Sequence, residues 1–496
     1  MDENNNSRNS DSPEEKQQAP AGRYLRIKPF FLLMLMFGLV LLTAGVTFFA
    51  LTVGEDKVVE VVSPKSDRGE FDKLYDAYDA VKEQYFEDVT DEELVNGAIN
   101  GMVDALGDPY SDYLDQTEAQ HLNESISSSF EGIGAEIQER NGKIMIVSPI
   151  KNSPAEKAHL QPDDVILSVD GESLQGKSST EAVTLIRGEK GTDVTLQIER
   201  AGLEEPIDVT ITRDVIPIET VYAEMADDEV AHIQITSFSE NTFDELLEAI
   251  EAMEKEGMKA MAIDVRQNPG GLLSTAIEIS NLFVEEGEGL FQIEEKGKKP
   301  QITYASGGTK VKMPVVLLID GGSASASEIL AGALMESAGI RSVGEKSFGK
   351  GTVQSPQDFQ DGSNLKLTTA KWLTPDGNWI HEKGIEPTDP VAYPEYVKLP
   401  YIDPKTPMQD GDTSMTILSA EQMLEAVGHD PGEADGVFDE ATAEAVRGLQ
   451  ADAGLEESGV LEGDTTFALM DKLREKIETD DPMLKKASEI LHEQLK

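Results

Sequence analysis

The sequence contains no cysteine, which excludes a thiol nucleophile, a disulfide framework and any cysteine-based metal cluster, and leaves the redox compartment unreadable from this residue type. Positive charge is scarce. Lys and Arg number 42 against 94 Asp and Glu, for a formal net charge of -52. With no basic stripe to neutralise phosphates, a nucleic-acid partner is excluded. The acidic excess is consistent with a solvated, soluble surface or with adaptation to a salt-rich or alkaline exterior. Histidine is also sparse, and none of the six (His121, His159, His232, His381, His429, His492) sits in a recognisable catalytic setting. A serine hydrolase that uses histidine as its base therefore finds no evident partner here.

At 496 residues the chain is too long for one core, and at about 100 to 200 residues per domain three or so folded units are expected. Residues 1–29 form a cytoplasmic tail, whose first part (NNNSRNSDSPEEKQQAPAG) holds too little apolar surface to order itself. The run from Phe30 to Val53, FFLLMLMFGLVLLTAGVTFFALTV, carries no charge over 24 residues. It exceeds the roughly 20 needed to span a bilayer. A cleaved signal peptide has a shorter apolar region and a small-x-small exit, so residues 30–53 are expected to be an uncleaved transmembrane anchor. Arg23, Arg26 and Lys28 precede the run while Glu55 and Asp56 follow it, so the N-terminus stays in the cytoplasm. The expected location is the cell membrane, single-pass, with everything after residue 54 outside.

Residues 66–116 read as a helical lead-in or dimerisation region. Phe71, Leu74, Tyr75, Tyr78 and Val81 recur at helical spacing, and a second helical stretch, LVNGAINGMVDALG, ends at Gly107 before DPYSDYL. Such a face either meets a partner or packs on its own domain. Residues 117–213 alternate short β-type runs (GAEIQE, KIMIVSPI, DVILSVDG, DVTLQIER, PIDVTITR) with two helical pieces, SPAEKAHL and STEAVTLIRG. Residues 214–398 turn to an α/β pattern: HIQITSF, a helix through NTFDELLEAIEAMEKEG, MAIDVR, NPGG, VVLLID. A Pro- and Asp-rich linker covers 399–411. A small helical domain over 412–475 follows, with Ala441, Ala445, Val446 and Leu449 on one face, and a C-terminal helix over 476–496. The fold class is multidomain α+β, with a β-rich module set before an α/β core.

In the β-rich module, FEGIGAEI followed by SPAEKAHLQPDDVILSVDGESL and EAVTLIRGEKGT resembles a PDZ domain. The resemblance implies a groove that takes the C-terminus of a protein or peptide substrate. The loop Gly132, Ile133, Gly134, Ala135 suits that role, because glycine lets successive N–H groups converge on a carboxylate while the peptide adds as a strand to the neighbouring edge. Arg187, in LIRG, either answers the bound chain or is an exposed cation at a helix end. In the last domain the order DG.F…T..AV..LQ…GL…G.L…T resembles the small peptidoglycan-binding helical domain. That implies cell-wall contact, although such a fold also survives without binding.

In VVLLIDGGSASASEIL the chain leaves a buried strand, turns on Gly321 and Gly322 and enters a helix. Ser325-Ala-Ser-Glu328 is a capping box, so one reading of Ser325 is simply a cap. The same place suits chemistry, since a helix N-terminus favours a nearby oxyanion. With no histidine base evident, lysine is the other candidate, provided that burial strips water from its ammonium. Lowering its pKa from about 10.4 to about 7 or 8 takes on the order of 4 kcal/mol. The stretch GEKSFGKGTVQSPQDF supplies Lys350 between Gly349 and Gly351, at the head of a strand whose period of two puts Lys350, Thr352 and Gln354 on one face. Gln354 can then hold the amine. Lys346 competes with Lys350, and spacing does not choose between them.

SASASEILAGAL and VGEKSFGKGTVQ, preceded by DVRQNPGGLL and followed by LKLTTAKWLTPDGNWIHEKGIEPTDPV, closely resemble the C-terminal processing (tail-specific) serine proteases. The similarity runs from about residue 68 to 392, PDZ module included. It implies that Ser325 is the nucleophile, Lys350 the base and Gln354 its partner, with the oxyanion hole formed by the N–H groups of Gly271 and Ala326. It further implies no metal or organic cofactor, a homodimer built with terminal helices, and control of activity by the PDZ domain. The expected protein is a membrane-anchored, extracytoplasmic serine endopeptidase that recognises substrate C-termini. An inert PDZ scaffold attached to the cell wall, or a hydrolase acting on the wall itself, are the alternatives from other classes.

Overall fold

A computed structural model describes residues 69–140, 142–203, 205–307 and 311–496. The tail expected over 1–29, the anchor over 30–53 and the cytoplasmic orientation of the N-terminus fall outside the described residues. Among the described residues, no helix is long and apolar enough to cross a membrane. The chain divides into two units, Met1–Thr90 and Asp91–Lys496. In the first, the helix Asp72–Gln84 buries none of its residues. Leu74, Tyr75 and Val81, which gave it its helical spacing, are exposed, as are Tyr85 and Phe86 beyond its end.

The second unit opens with the helix Asp91–Asp104, the short strand Asp112–Leu114 and the helix Gln116–Ser127. Asp115 caps this last helix by accepting from the N–H groups of Thr117 and Glu118, both at 2.9 Å. The β-rich module that follows is an antiparallel sheet in the order 135–140, 143–149, 165–169, 193–199, 207–212. In Asp193–Glu199 the burial alternates, so Val194, Leu196 and Ile198 point inward and their neighbours outward. They pack with Ile144, Ile146 and Ile166 under the helix Ser179–Ile186. The strand Ala135–Arg140 is an edge of this sheet.

The α/β core is built on a six-stranded sheet in the order 221–225, 230–235, 260–264, 315–319, 341–344, 389–390. Its first pair is antiparallel and the rest parallel. The strands Ala260–Asp264 and Val315–Ile319 are buried at every position, as parallel strands covered on both faces must be. Met261, Ile263, Leu317 and Ile319 face one cluster, with Leu246, Ile279 and Leu330 from the helices Thr242–Glu256, Leu273–Ser280 and Ala326–Gly332. Ala260, Ala262, Val316 and Leu318 face the other, against Met483, Ala487, Ile490 and Leu491. Those four belong to the last helix, Pro482–Leu495, so the sheet is completed by residues well beyond 214–398.

A second, antiparallel sheet runs 112–114, 364–373, 289–295, 301–304, with 352–358 also paired to 364–373. The lead-in thus contributes Asp112–Leu114 to a sheet of the 214–398 region. The C-terminal helices Met415–Ala426, Glu440–Ala453 and Gly463–Thr479 enclose Leu424, Phe438, Val446, Leu449 and Leu469. Ala445, Val446 and Leu449 lie in that core as expected, but Ala441 is exposed and Thr442 and Ala443 are buried instead. The helix is rotated so that Thr442 can donate to the buried Glu421 carboxylate at 3.0 Å. Ile402 and Met408 of the expected linker are buried in the same core.

Candidate active site

Because neighbouring parallel strands end at the same edge of a sheet, the loops after 260–264, 315–319 and 341–344 emerge side by side. They carry the NPGG turn, Ser325 and Lys350. Ser325 sits at φ 56° and ψ -111°, a region that costs a non-glycine residue on the order of 1–3 kcal/mol and persists only when its surroundings over-determine it. Several contacts do so. The Ala324 N–H and the Ser327 hydroxyl both donate to the Asn268 carbonyl, at 3.0 and 2.9 Å. The Ser325 N–H donates to the Glu328 carboxylate at 2.9 Å. A Cβ at Gly270 would come within 2.9 Å of the Ser325 Cβ and of the Ala326 nitrogen, so only glycine permits this approach.

Glu328 does more than the capping box suggests. It has no exposed surface. One carboxylate oxygen accepts from the N–H groups of Ser325 (2.9 Å) and Lys350 (2.8 Å). The other accepts from the Ser347 hydroxyl (2.6 Å) and the Gly349 N–H (2.7 Å). A single buried side chain therefore ties the backbone of Ser325 to that of Lys350, 25 residues further along the chain. Burying the carboxylate is tolerable because both oxygens are fully engaged.

Lys350 is half-buried. Burial first, and the nearby Lys366 ammonium second, push its pKa below the ordinary lysine range, against a weaker opposing pull from Glu328 and Asp108. Its ammonium nitrogen lies 5.0 Å from the centre of the Tyr110 ring and makes no hydrogen bond or ion pair among the described residues. Tyr110 meets His381 edge-on, and His381 stacks on Trp379 at 5.1 Å. The indole N–H groups of Trp372 and Trp379 donate to the carbonyls of Lys350 and Gly351, at 2.8 and 2.9 Å. Lys346, by contrast, is half-exposed and paired with Glu386 at 3.0 Å. Tertiary structure thus separates two lysines that spacing left equal.

Gln354 lies in the strand Thr352–Asp358, past a bulge between Val353 and Gln354. Its amide nitrogen donates to the hydroxyls of Thr352 (3.0 Å) and Thr368 (3.1 Å), and no hydrogen bond joins it to Lys350 among the described residues. Gly271 has φ 141°, and a Cβ there would overlap the Phe238 carbonyl oxygen at 2.1 Å. Its turn is held by Phe238, which donates to the Gly270 carbonyl and accepts from Leu272 N–H. Ala326 is buried at the first position of its helix. Gly270, rather than Gly271, is the glycine packed against Ser325.

In the β-rich module, Gly132 closes the strand Ser129–Gly132 and Ala135 opens the edge strand. The carbonyls of Ile133 and Gly134 accept from Ala155 and Ile150 N–H at 2.8 and 2.9 Å, and the Ser153 hydroxyl also donates to Gly134. The N–H groups of Ile133 and Gly134 make no backbone hydrogen bond among the described residues. Arg187 is not free: it donates to Glu124 at 2.7 Å and covers the Phe130 ring at 4.7 Å. Among the described residues, no group of three or more His, Asp or Glu side chains is placed to hold a metal ion. Sequence reasoning missed the reach of Glu328 and the parts played by Gly270, Tyr110 and His381. Only the first two left a signal, the Ser-x-x-Glu spacing and the paired glycines.

Comparison with known proteins gives this edge of the sheet its class. The family model described as peptidase family S41 matches residues 229–391, and a PDZ domain model matches 132–211. The model for the N-terminal domain of the activating protease CtpB matches 40–118, and one for a putative peptidoglycan binding domain matches 416–469. The chain is 46% identical to carboxy-terminal processing protease CtpA of Bacillus subtilis over 463 residues, covering 93% of this chain and 99% of that one. Identity to carboxy-terminal processing protease CtpB of the same organism is 42% over 408 residues, covering 82% and 85%. Among solved structures, the photosystem II D1 C-terminal processing protease is 28% identical with a TM-score of 0.39, covering 66% of this chain and 87% of that one. The α/β core is therefore a peptidase domain. The chain belongs to the carboxy-terminal processing proteases of peptidase family S41.

Proposed function

We propose that this protein is a membrane-anchored, extracytoplasmic serine endopeptidase that captures substrate C-termini in its PDZ domain and cleaves by a Ser-Lys-Gln mechanism. The observation that carries the proposal is Lys350: half-buried, lowered in pKa, and bound through Glu328 to the backbone of Ser325. A lowered pKa favours the neutral amine, and a neutral amine can take a proton from a serine hydroxyl. The Ser325 oxygen attacks the scissile carbonyl carbon as its proton passes to Lys350. The negative oxygen of the tetrahedral adduct is met by the N–H groups of Gly271 and Ala326. The C–N bond then breaks, Lys350 returns the proton to the departing amine, and an acyl-Ser325 ester remains. Water, deprotonated by Lys350, hydrolyses that ester to a carboxylic acid and free Ser325.

Thr352 and Thr368 hold the amide nitrogen of Gln354, leaving its amide oxygen as the acceptor that the mechanism needs for Lys350. A peptide strand adds to the edge Ala135–Arg140, its carboxylate received by the loop Gly132, Ile133, Gly134, Ala135. Exposed Leu74, Tyr75 and Val81 on the helix Asp72–Gln84 suit a homodimer formed through the N-terminal region. The match to a peptidoglycan binding model supports contact between the C-terminal domain and the cell wall. One observation favours a second reading, an inert scaffold: Gln354 makes no hydrogen bond to Lys350 among the described residues. The two are separated by incubating the full-length protein in detergent with an unfolded protein that ends in apolar residues. The wild type should cut it, and Ser325→Ala and Lys350→Ala should each lose at least about 1,000-fold in kcat. An uncut substrate, or full activity in Lys350→Ala, refutes the mechanism.

A further inference from the structure

Two residues from the C-terminal third of the chain reach the underside of the catalytic loops. Arg266, 8% exposed, stands directly before the turn that carries Gly270 and Gly271. Its guanidinium donates to Asp264 through Nε at 2.9 Å and through Nη2 at 2.6 Å, and Nη2 also donates to Asp481 at 2.6 Å. Asp481 caps the last helix with its other oxygen, accepting from Met483 and Leu484 N–H at 2.9 Å. Asp264 also meets His232 at 2.8 Å. Burial opposes its ionisation, yet Arg266 and His232 overcome this and hold it down to about 2.

The second contact is at Asp320, which has no exposed surface. It accepts from the backbone and side-chain nitrogens of Gln267, at 2.9 and 2.6 Å, and from Gly322 N–H at 2.9 Å. It thereby joins the NPGG loop to the serine turn. Gln267 itself is held at φ 56°, a strained geometry that needs such support. The Ser323 hydroxyl adds a long contact to Asp320 at 3.4 Å, and the Tyr393 hydroxyl donates to it at 2.9 Å. Between Tyr393 and Asp481 the chain forms the helical domain with its own core, so that domain enters and leaves through these two contacts.

We propose that Tyr393 and Asp481 are positioning residues that hold the loop from Gln267 to Gly271 against Ser325, tying the C-terminal helical domain into the peptidase site at both ends. This rests on Ser325 being the nucleophile. Displacement of an oxyanion donor by a fraction of an ångström slows acylation without weakening substrate capture, because the donor acts on charge that develops later. Tyr393→Phe removes one hydroxyl, and Asp481→Asn keeps a good helix cap while removing the charge that faces Arg266. Both are therefore expected to fold.

The test measures kcat and KM of the full-length variants, counting competent molecules with a serine-directed acylating probe. Each variant should show kcat reduced about tenfold or more with KM within twofold, and Asp481→Glu should recover part of the loss. Wild-type kcat in both variants, with only a lower unfolding temperature, overturns the proposal while Ser325→Ala stays inactive. If Ser325→Ala itself retains activity, the nucleophile assignment falls, and this inference with it.

Discussion

Glu328 in the peptidase core and Glu421 in the C-terminal domain are both carboxylates with no exposed surface, yet they are used differently. Glu421 accepts from Gly436 N–H at 2.9 Å and from the Thr442 hydroxyl at 3.0 Å, pinning a turn to the next helix. Glu328 accepts from four donors spread over the serine turn and the Lys350 loop. Apolar packing is non-directional and brings segments near one another. A buried carboxylate is directional and costly unless satisfied, so it fixes how those segments face each other. In one domain that direction secures a fold; in the other it sets the relation between the serine turn and the Lys350 loop.

The sharpest way to break this contrast is Glu328→Gln. Each oxygen of Glu328 faces two donors, so an amide nitrogen in either place must point N–H at N–H or O–H. We expect kcat to fall by about 100-fold and the protein to lose roughly 3 kcal/mol of stability. Activity per folded molecule equal to wild type would show that the carboxylate serves folding alone. Glu421→Gln should cost about 1–3 kcal/mol of stability and leave kcat within twofold, read by denaturant unfolding beside a peptidase assay. A large loss of kcat there would erase the distinction between the two sites.

Smaller effects sharpen the account of Lys350. It must be neutral to accept a proton, so kcat/KM should rise with pH and level off below the ordinary lysine range, in keeping with its lowered pKa. Lys366 is one cause of that lowering. Lys366→Gln removes a repelling positive charge, stabilises the ammonium form and should move the rise to higher pH; a shift toward lower pH would contradict this. Least of all should change in Lys346→Ala. Its exposed ion pair with Glu386 is worth about 1 kcal/mol or less, and kcat should stay within twofold in the same assay.

Much of the fold was legible because it rests on local patterns. The alternation in Asp193–Glu199 and the unbroken apolar run Val315–Ile319 follow from which faces are covered. Ser325 was legible through the strand, glycine turn and capping spacing around it. Spacing alone left Lys350 as one of two candidates, and only the family resemblance singled it out, because its surroundings include Tyr110, Trp372 and Trp379, which come from other parts of the chain. The expectation that Lys350, Thr352 and Gln354 alternate on one face met a strand that begins at Thr352 and a bulge at Val353 and Gln354. Arg187 was open between two roles, and its Glu124 partner lies 63 residues away.

By itself the sequence determined which segments alternate, which turn on glycine and which residues carry reactive side chains, since these follow from dihedral freedom and periodic burial over a few neighbours. Tertiary structure alone decided which of the two lysines is partly desolvated, which carboxylate ties the Ser325 turn to the Lys350 loop, and that the last helix closes the peptidase sheet. Solvation and hydrogen-bond partnership are properties of a place in space, and chain positions tens or hundreds of residues apart meet there only after folding.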